Sequence, residues 1–312
     1  MSASGGAADT AGRGGADCTD RAPLPWGAWG AWGVWGARTY VMGIVNCTPD
    51  SFSGDGLPDA AAAIAHGMRL AEEGADVLDV GGESTRPGAA PVPAEEELRR
   101  VLRVVEALIT RSGVPVSVDT SKAAVADAAL AAGATIVNDV WALARDPELA
   151  TVAARHRATV VLMHNRIAAP TAGALGGHYS GVDYGSRDVV EVVGEELEAR
   201  VAHALAAGIP RDRLVVDPGI GFGKTREQNL GLLRRLGELK RRSALADLPL
   251  LVGTSRKSVI GLTLGLPVEE RLEGTLATLA LAVAQGADAV RVHDVRAAVR
   301  CVRMADAIVR EG

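Results

Sequence analysis

RLVVDPGIGFGKT, residues 213–225, is a short β-branched run that ends in an acid and a glycine-rich turn before a polar helix start. Similar apolar runs recur, and we predict strands at 39–46, 76–80, 115–119, 135–139, 159–164, 213–217, 249–253 and 289–293. The stretches between them predict helices at 59–73, 94–110, 121–132, 146–156, 187–207, 226–240, 256–285 with a break, and 294–309. Strands that alternate with helices form parallel βαβ units. Eight such units predict an α/β fold, a single-domain (β/α)₈ TIM barrel.

The junctions between helices and strands repeat a dipeptide. Gly74-Ala75, Gly133-Ala134 and Gly286-Ala287 each stand between a predicted helix and the next strand. Glycine is favoured just after a helix because the backbone there often needs a positive φ. The repeat supports a recurring helix-to-strand unit.

The composition suits one buried core and narrows the possible partners. Of the 312 residues, 48% are hydrophobic and only 3% aromatic, so Ala, Val and Leu must fill the interior. A net charge of −5 disfavours broad binding to nucleic acid or anionic membranes, which requires a basic surface. The three cysteines form no CxxC pair, and no apolar run of about 18 residues or signal-peptide pattern occurs. We therefore predict a cytoplasmic protein.

The first 37 residues differ from the rest of the chain. They are rich in small residues and end in WGAWGAWGVWG, where Trp26, Trp29, Trp32 and Trp35 are each followed by Gly. Spacing by three could suggest a stacking platform or a helix stripe, but the glycines oppose a helix. We interpret residues 1–37 as a low-complexity, disordered leader that lies against the barrel or a partner, and residues 38–312 as the barrel domain.

Nearly every predicted strand ends in polar residues. The ends are Asn46, Gly81–Arg86, Asp119, Asn138-Asp139, Met163-His164, Asp217, Gly253–Lys257 and Arg291–Asp294. Because active sites of these barrels lie at the carboxyl ends of the strands, we expect these residues to share one rim.

Cationic residues concentrate after the last two predicted strands. Arg256, Lys257, Arg291 and His293 are expected to converge there, where such barrels often bind phosphate. Cations near helix starts oppose the helix dipole, so their collection indicates a bound anion. The loop at 43–56 offers oxygen ligands for a hard cation, whereas no zinc motif or G-x-S-x-G nucleophile occurs.

The segment 217–225 also approaches a phosphate P-loop. Gly223, Lys224 and Thr225 fit GxxxxGK[ST], but Pro218 stands where the first glycine belongs. The P-loop also belongs to a different architecture, so we exclude nucleotide hydrolysis. Asp217 is better placed to accept hydrogen bonds from the N–H groups of a ligand.

Five motifs together resemble the dihydropteroate synthase family. They are TPDSFS at 48–53, GGESTRPGA at 81–89, DPGIGFGK at 217–224, SRK at 255–257 and RVHD at 291–294. The resemblance runs from about residue 39 to the C-terminus. It implies a homodimeric barrel that condenses 6-hydroxymethyl-7,8-dihydropterin diphosphate with 4-aminobenzoate and releases diphosphate, assisted by Mg²⁺.

The resemblance also implies roles for individual residues. Those implied to hold the pterin are Asp119, Asn138, Met163, Asp217 and Lys257. Those implied to hold the diphosphate are Asn46, Arg291 and His293, with Asn46 also at the Mg²⁺. Those implied to shape the 4-aminobenzoate site, which would also accept sulfonamides, are Thr85, Arg86, Pro87, Phe222 and Ser255. Those implied to be catalytic are Asp55, Lys257, Arg291 and His293.

The implied mechanism is dissociative: diphosphate leaves, and the arylamine attacks a pterin methylene cation while closed loops exclude water. One departure from the family pattern matters most: Asp55 in SGDG is shifted by one place from the usual loop acid. Two alternatives stay open. A pterin-binding methyltransferase would share the acid and amide contacts but not the diphosphate set, and a non-catalytic paralogue would bind pterin or a partner without turnover.

Overall fold

Eight parallel strands form the centre of the molecule. The computed structural model describes residues 35–48, 60–84, 90–166, 182 and 184–310. The strands are β1 (Tyr40–Asn46), β2 (Val77–Gly81), β3 (Val116–Asp119), β4 (Ile136–Asp139), β5 (Thr159–Met163), β6 (Leu214–Asp217), β7 (Leu251–Val252) and β8 (Ala289–Val292). Each lies within or one residue beyond a predicted run.

The strands close into a ring. They pair in the order β6-β5-β4-β3-β2-β1-β8-β7. A parallel bridge between Val216 and Leu250 joins the two ends, and the Val216 N–H donates to the Pro249 carbonyl at 3.0 Å. The predicted (β/α)₈ barrel is therefore confirmed.

Helices surround the ring on its outer face. They are α1 (Ala60–Glu72), α2 (Ala94–Arg111), α3 (Ala123–Ala131), α4 (Glu148–His156), α5 (Val189–Ala206), α6 (Arg226–Arg234), α7 (Leu236–Arg241), α8 (Ser258–Leu264), α9 (Leu272–Ala284) and α10 (Val295–Val309). The predicted break within 256–285 separates α8 from α9. The helix predicted at 226–240 is instead interrupted at Arg235, whose guanidinium pairs with Glu238 and with Asp188. None of the described helices is long and apolar enough to cross a bilayer.

The repeated Gly-Ala junctions adopt one local structure. Gly74, Gly133 and Gly286 have φ of +99°, +113° and +90°. The N–H of the alanine that follows each of them donates back to a helix carbonyl at 3.0 Å. This is the Schellman arrangement, and it turns each chain directly from helix to strand.

The core consists of small and medium aliphatic side chains. Strands β2, β4, β5 and β6 are buried at every position, as expected for parallel strands covered on both faces. Close helix packing uses glycine: a Cβ added at Gly43 would lie 3.0 Å from Val295 and 3.1 Å from Leu70.

The amino-terminal segment is tied to the bottom of the barrel. The Thr39 N–H and hydroxyl donate to the Asp306 carboxylate at 2.7 and 2.8 Å. Trp35 is buried, with its ring centroid 4.9 Å from that of Tyr40. The last tryptophan of the repeat therefore packs on the barrel, whereas Trp26, Trp29 and Trp32 lie outside the described residues.

Candidate active site

The polar strand ends meet at one rim of the barrel. The pairing register places Asn46 beside Gly81, Gly81 beside Asp119, and Asp119 beside Asn138. Two strands further round, Met163 pairs with Asp217. The register thus sets amide and carboxylate groups from four non-adjacent stretches of sequence at nearly the same height.

Arg291, a partly buried residue of β8, joins two of these strands, β2 and β3. The Arg291 Nε donates to Asp79 Oδ2 at 2.6 Å, and its Nη2 donates to Asp119 Oδ2 at 2.6 Å. Asn138 donates to the same Asp79 oxygen at 2.9 Å. Predicted pterin contacts and a predicted diphosphate contact therefore form a single network.

The electrostatics of this network favour a charged guanidinium beside an acid, Asp119, whose pKa is shifted. Burial raises the pKa of Asp119 above its ordinary value, although the charge of Arg291 opposes the shift. Burial lowers the pKa of Arg291, but Asp79 and Asp119 outweigh it, so the guanidinium stays charged. A ligand that donates hydrogen bonds to Asp119 would stabilise its ionised form.

Asp79 is the residue of this network to which the sequence analysis assigns no role. Its carboxylate is fully buried in β2, and its second oxygen has no hydrogen-bond partner among the described residues. The signal was present in the sequence, because Asp79 is an acid flanked by the apolar residues Leu78 and Val80. A charge in such a position is rare unless it is paired.

A second group lies on the opposite side of the rim. The Lys257 amine donates to the Ile220 carbonyl at 2.6 Å and lies 4.7 Å from the centre of the Phe222 ring. Burial lowers the pKa of Lys257 to about 8. Burial also raises the pKa of Asp217, and Lys257 is the foremost charge that opposes the rise. The Asp217 carboxylate accepts the Gly219 N–H at 2.7 Å.

His293 is oriented by Ser255. The Ser255 hydroxyl accepts the backbone N–H of His293 at 3.1 Å, so its own hydrogen is available for the ring Nδ1 at 3.0 Å. An acceptor at Nδ1 leaves the proton of a neutral ring on Nε2. The Nε2–H, on the side of the ring away from Ser255, can therefore donate to an anion.

The structure corrects one part of the expected cationic cluster. Arg256 is exposed and pairs with Asp294 through contacts of 3.0 and 2.5 Å, instead of facing Lys257 and Arg291. The Arg256 backbone has a φ of +59°, in the left-handed region, and the Arg256 side chain points to solvent. Asp294 thus neutralises a cation that the sequence analysis assigned to an anion site.

Four predicted site residues are not described. Asp55, Thr85, Arg86 and Pro87 lie outside the described residues. The structure therefore leaves the loop acid and the larger part of the predicted 4-aminobenzoate site as predictions. Of that site, Phe222 and Ser255 are placed, and both contact residues predicted to bind the pterin or the diphosphate.

The described residues offer few side chains to a metal ion. Within the described ranges, no group of three or more His, Cys, Asp or Glu side chains could hold a metal ion. Asn46 supplies an amide oxygen at the end of β1. Such a donor suits a hard cation whose remaining ligands are phosphate oxygens and water.

Comparison with known proteins agrees with this arrangement. The profile of the family described as pterin binding enzyme matches residues 42–293. A dihydropteroate synthase of Clostridium beijerinckii is 44% identical over 275 residues, which cover 88% of this chain and 95% of that protein.

Solved structures give the same result. The dihydropteroate synthase of Clostridium difficile, crystallised in the presence of pteroic acid, has a TM-score of 0.80 at 44% identity and covers 88% of this chain and 98% of that one. The enzyme of Xanthomonas albilineans with 4-aminobenzoic acid has a TM-score of 0.77 at 46% identity, covering 87% and 93%. The chain therefore belongs to the pterin-binding enzyme family, among the relatives of the dihydropteroate synthases.

Proposed function

We propose that this chain is a dihydropteroate synthase, which condenses 6-hydroxymethyl-7,8-dihydropterin diphosphate with 4-aminobenzoate and releases diphosphate. The observation that carries the proposal is the bridge from Arg291 to Asp79 and Asp119, which gathers acids and a cation at one rim. Acids accept hydrogen bonds from the N–H edge of a pterin, and a fixed cation stabilises a departing anion.

The pterin would be held between the two sides of the rim. Asp217 accepts N–H donors of the ring, Asn138 both donates and accepts, and Lys257 donates to ring acceptors. Met163, buried at the end of β5, offers an apolar contact to the ring face. Asp119 supplies a second carboxylate. The positive charge of Arg291, which pairs with Asp119, also favours the ionised form of Asp217.

The diphosphate would lie towards β8 and β1. His293 offers an Nε2–H donor, Arg291 a fixed positive charge, and Asn46 a side-chain amide. Mg²⁺, when bound beside Asn46, would neutralise charge on the diphosphate oxygens. The presence of Lys257, Arg291 and His293 together favours a synthase over a pterin-binding methyltransferase, which handles no diphosphate.

The second substrate would enter beside Phe222 and Ser255, with Thr85, Arg86 and Pro87 completing its site. An arylamine attacks without prior deprotonation by a strong base, and the resulting ammonium loses its proton readily. Catalysis then comes from positioning and from stabilisation of the leaving group. The absence of a nucleophile motif from the sequence fits this chemistry.

We also infer a cytoplasmic homodimer. Cys47 and Cys301, the two cysteines in the described part of the chain, are unpaired, which suits a reducing compartment. Helix α9 packs against α8 and α10, and these helices carry exposed Leu264, Leu281, Met304 and Ile308. A surface of this kind suits a second copy of the chain.

The test is turnover by the purified protein. With the pterin diphosphate, 4-aminobenzoate and Mg²⁺, we expect equal amounts of dihydropteroate and diphosphate. Arg291→Ala should lower kcat by roughly 100- to 1,000-fold, as removal of a charge-stabilising group does, and more than Asp55→Ala. Arg300→Ala, on the exposed side of α10, is the matched control. No diphosphate release by the wild type would contradict the proposal.

A further inference from the structure

Lys224 has a complete set of partners inside the protein. The residue is 4% exposed. Its amine donates to the Gly219 carbonyl at 2.9 Å, to the Phe222 carbonyl at 3.0 Å and to His164 Nδ1 at 2.9 Å. A lysine ammonium has three N–H donors, and each has an acceptor here. The residue that completed the partial P-loop match thus points into the protein and contacts no anion.

The amine fixes the chain that leaves β6, which we term the β6 loop (residues 218–224). Gly219 and Gly221 have φ of +65° and +85°. A Cβ at Gly219 would lie 1.9 Å from the His164 carbonyl oxygen, so the loop lies directly against the end of β5. Without the amine, two carbonyls and a ring nitrogen would face one another with no donor, which is costly in a buried place.

A chain of hydrogen-bonded polar side chains continues behind Lys224. Because Nδ1 of His164 accepts from the amine, Nε2 carries the proton and donates to Glu196 at 3.0 Å. Burial, followed by the charge of Lys224, lowers the pKa of His164 to about 4, so the ring stays neutral. Glu196 also pairs with Arg166, which closes the network at the edge of the barrel.

The β6 loop in turn supports three predicted substrate contacts. The Ile220 carbonyl lies between the two carbonyls that Lys224 holds, and it accepts Lys257 at 2.6 Å. The Phe222 ring lies 4.7 Å from the same lysine amine. The Gly219 N–H donates to Asp217 at 2.7 Å. Any shift of this loop would move all three groups.

We propose that Lys224 is a positioning residue whose buried amine holds the β6 loop, and through it Lys257, Phe222 and Asp217, in the geometry that both substrates need. It touches no substrate itself. The inference rests on the proposed function, because the positioned groups matter only if they bind the pterin and the arylamine.

The test compares two lysines at opposite ends of the barrel, Lys224, which is buried, and Lys240, whose side chain is 11% exposed. Lys240 donates to the Leu248 carbonyl at 2.8 Å and to Asp288 at 2.6 Å, near the amino ends of the strands. Both Lys224→Met and Lys240→Met remove an amine that donates to a backbone carbonyl and to a polar side chain. Unfolding in urea, kcat, both KM values and binding of pteroic acid by calorimetry are measured for each variant.

We expect Lys224→Met to lower kcat/KM by on the order of 100-fold for both substrates, the scale of a small misplacement of reacting groups, and to weaken pteroic acid binding. Lys240→Met should lose stability but keep kcat/KM within about twofold, as expected for a site remote from the reacting groups. Lys224→Gln, which keeps two N–H donors, should fall between the wild type and Lys224→Met.

Specific results would overturn the inference. Equal kinetic losses in Lys224→Met and Lys240→Met would show a general structural effect. If Lys224→Met does not fold, Lys224→Gln decides: wild-type kinetic constants and wild-type pteroic acid binding in that variant would refute positioning. An inactive wild-type protein would instead refute the proposed function, so the two failures are distinct.

Discussion

Asp79 illustrates how one buried side chain can orient several that are predicted to bind ligand. It accepts hydrogen bonds from Arg291 and Asn138 through a single oxygen. Neither of these two side chains has a comparable second anchor in β2. The orientation of predicted pterin and diphosphate contacts therefore depends on a residue that need not touch either.

We predict that Asp79→Asn lowers kcat/KM for the pterin diphosphate by up to about 100-fold, because Arg291 and Asn138 lose a shared charged acceptor. Asp76→Asn is the control at the residue just before β2, where Asp76 pairs with Arg38 and accepts the Val41 N–H. It should lose stability and keep its kinetic constants. Steady-state rates and urea unfolding measure both, and unaltered kinetics in Asp79→Asn would refute an orienting role.

Two opposed pKa shifts predict a bell-shaped pH profile. Burial raises the pKa of Asp217, so this acceptor is lost as pH falls through a value above that of an ordinary aspartate. Burial lowers the pKa of Lys257 to about 8, so this donor is lost as pH rises through that value. Above the pKa of Lys257, kcat/KM for the pterin diphosphate should fall about tenfold per pH unit.

Lys257→Arg tests the alkaline side of that profile. A guanidinium keeps its charge throughout this range, so the variant should lose activity overall but show no alkaline decline. An alkaline decline that persists in Lys257→Arg would assign it to another group.

At the scale of elements, the sequence predicts every strand of the barrel and the break between α8 and α9. It does so because parallel strands buried on both faces read as short apolar runs bounded by polar residues. It misses the interruption between α6 and α7, since Arg235 is neither glycine nor proline and its side chain is held by Asp188 in another element. Likewise, it assigns no role to Asp79: the acid within β2 is visible in the sequence, but its ion pair with Arg291 of β8 depends on the tertiary structure.

Glycines with a positive φ at the helix-to-strand junctions and in the β6 loop should differ in how substitution by alanine affects stability and activity. Gly286 ends a helix-to-strand junction, and a Cβ there would meet nothing within 4 Å. Gly286→Ala should cost about 1–2 kcal/mol of unfolding free energy, from left-handed backbone strain alone, and spare activity. Gly219→Ala adds a severe clash with His164 and should reduce kcat/KM as well. Equal effects of the two variants on activity would contradict the assigned role of the β6 loop.

At the scale of the whole molecule, exposed apolar side chains are concentrated on one side. In the described part of the chain, all large exposed hydrophobics except Leu205 lie on or between α8, α9 and α10. Leu281→Glu combined with Met304→Glu should convert a dimer to a monomer, as judged by light scattering after gel filtration. Leu205→Glu, on α5, is the control and should stay dimeric. A wild-type monomer would refute this interface.

The claim on which the rest depends is that a pterin diphosphate lies between Asp217 and Arg291. The most direct measurement is calorimetric titration of the pterin diphosphate with Mg²⁺ into wild-type protein, Asp217→Asn and Asp212→Asn, the last an exposed control. We predict that Asp217→Asn weakens binding by on the order of 100-fold, as expected when a buried charged acceptor is removed, while Asp212→Asn binds as tightly as the wild type. Equal affinity in all three proteins would contradict the claim.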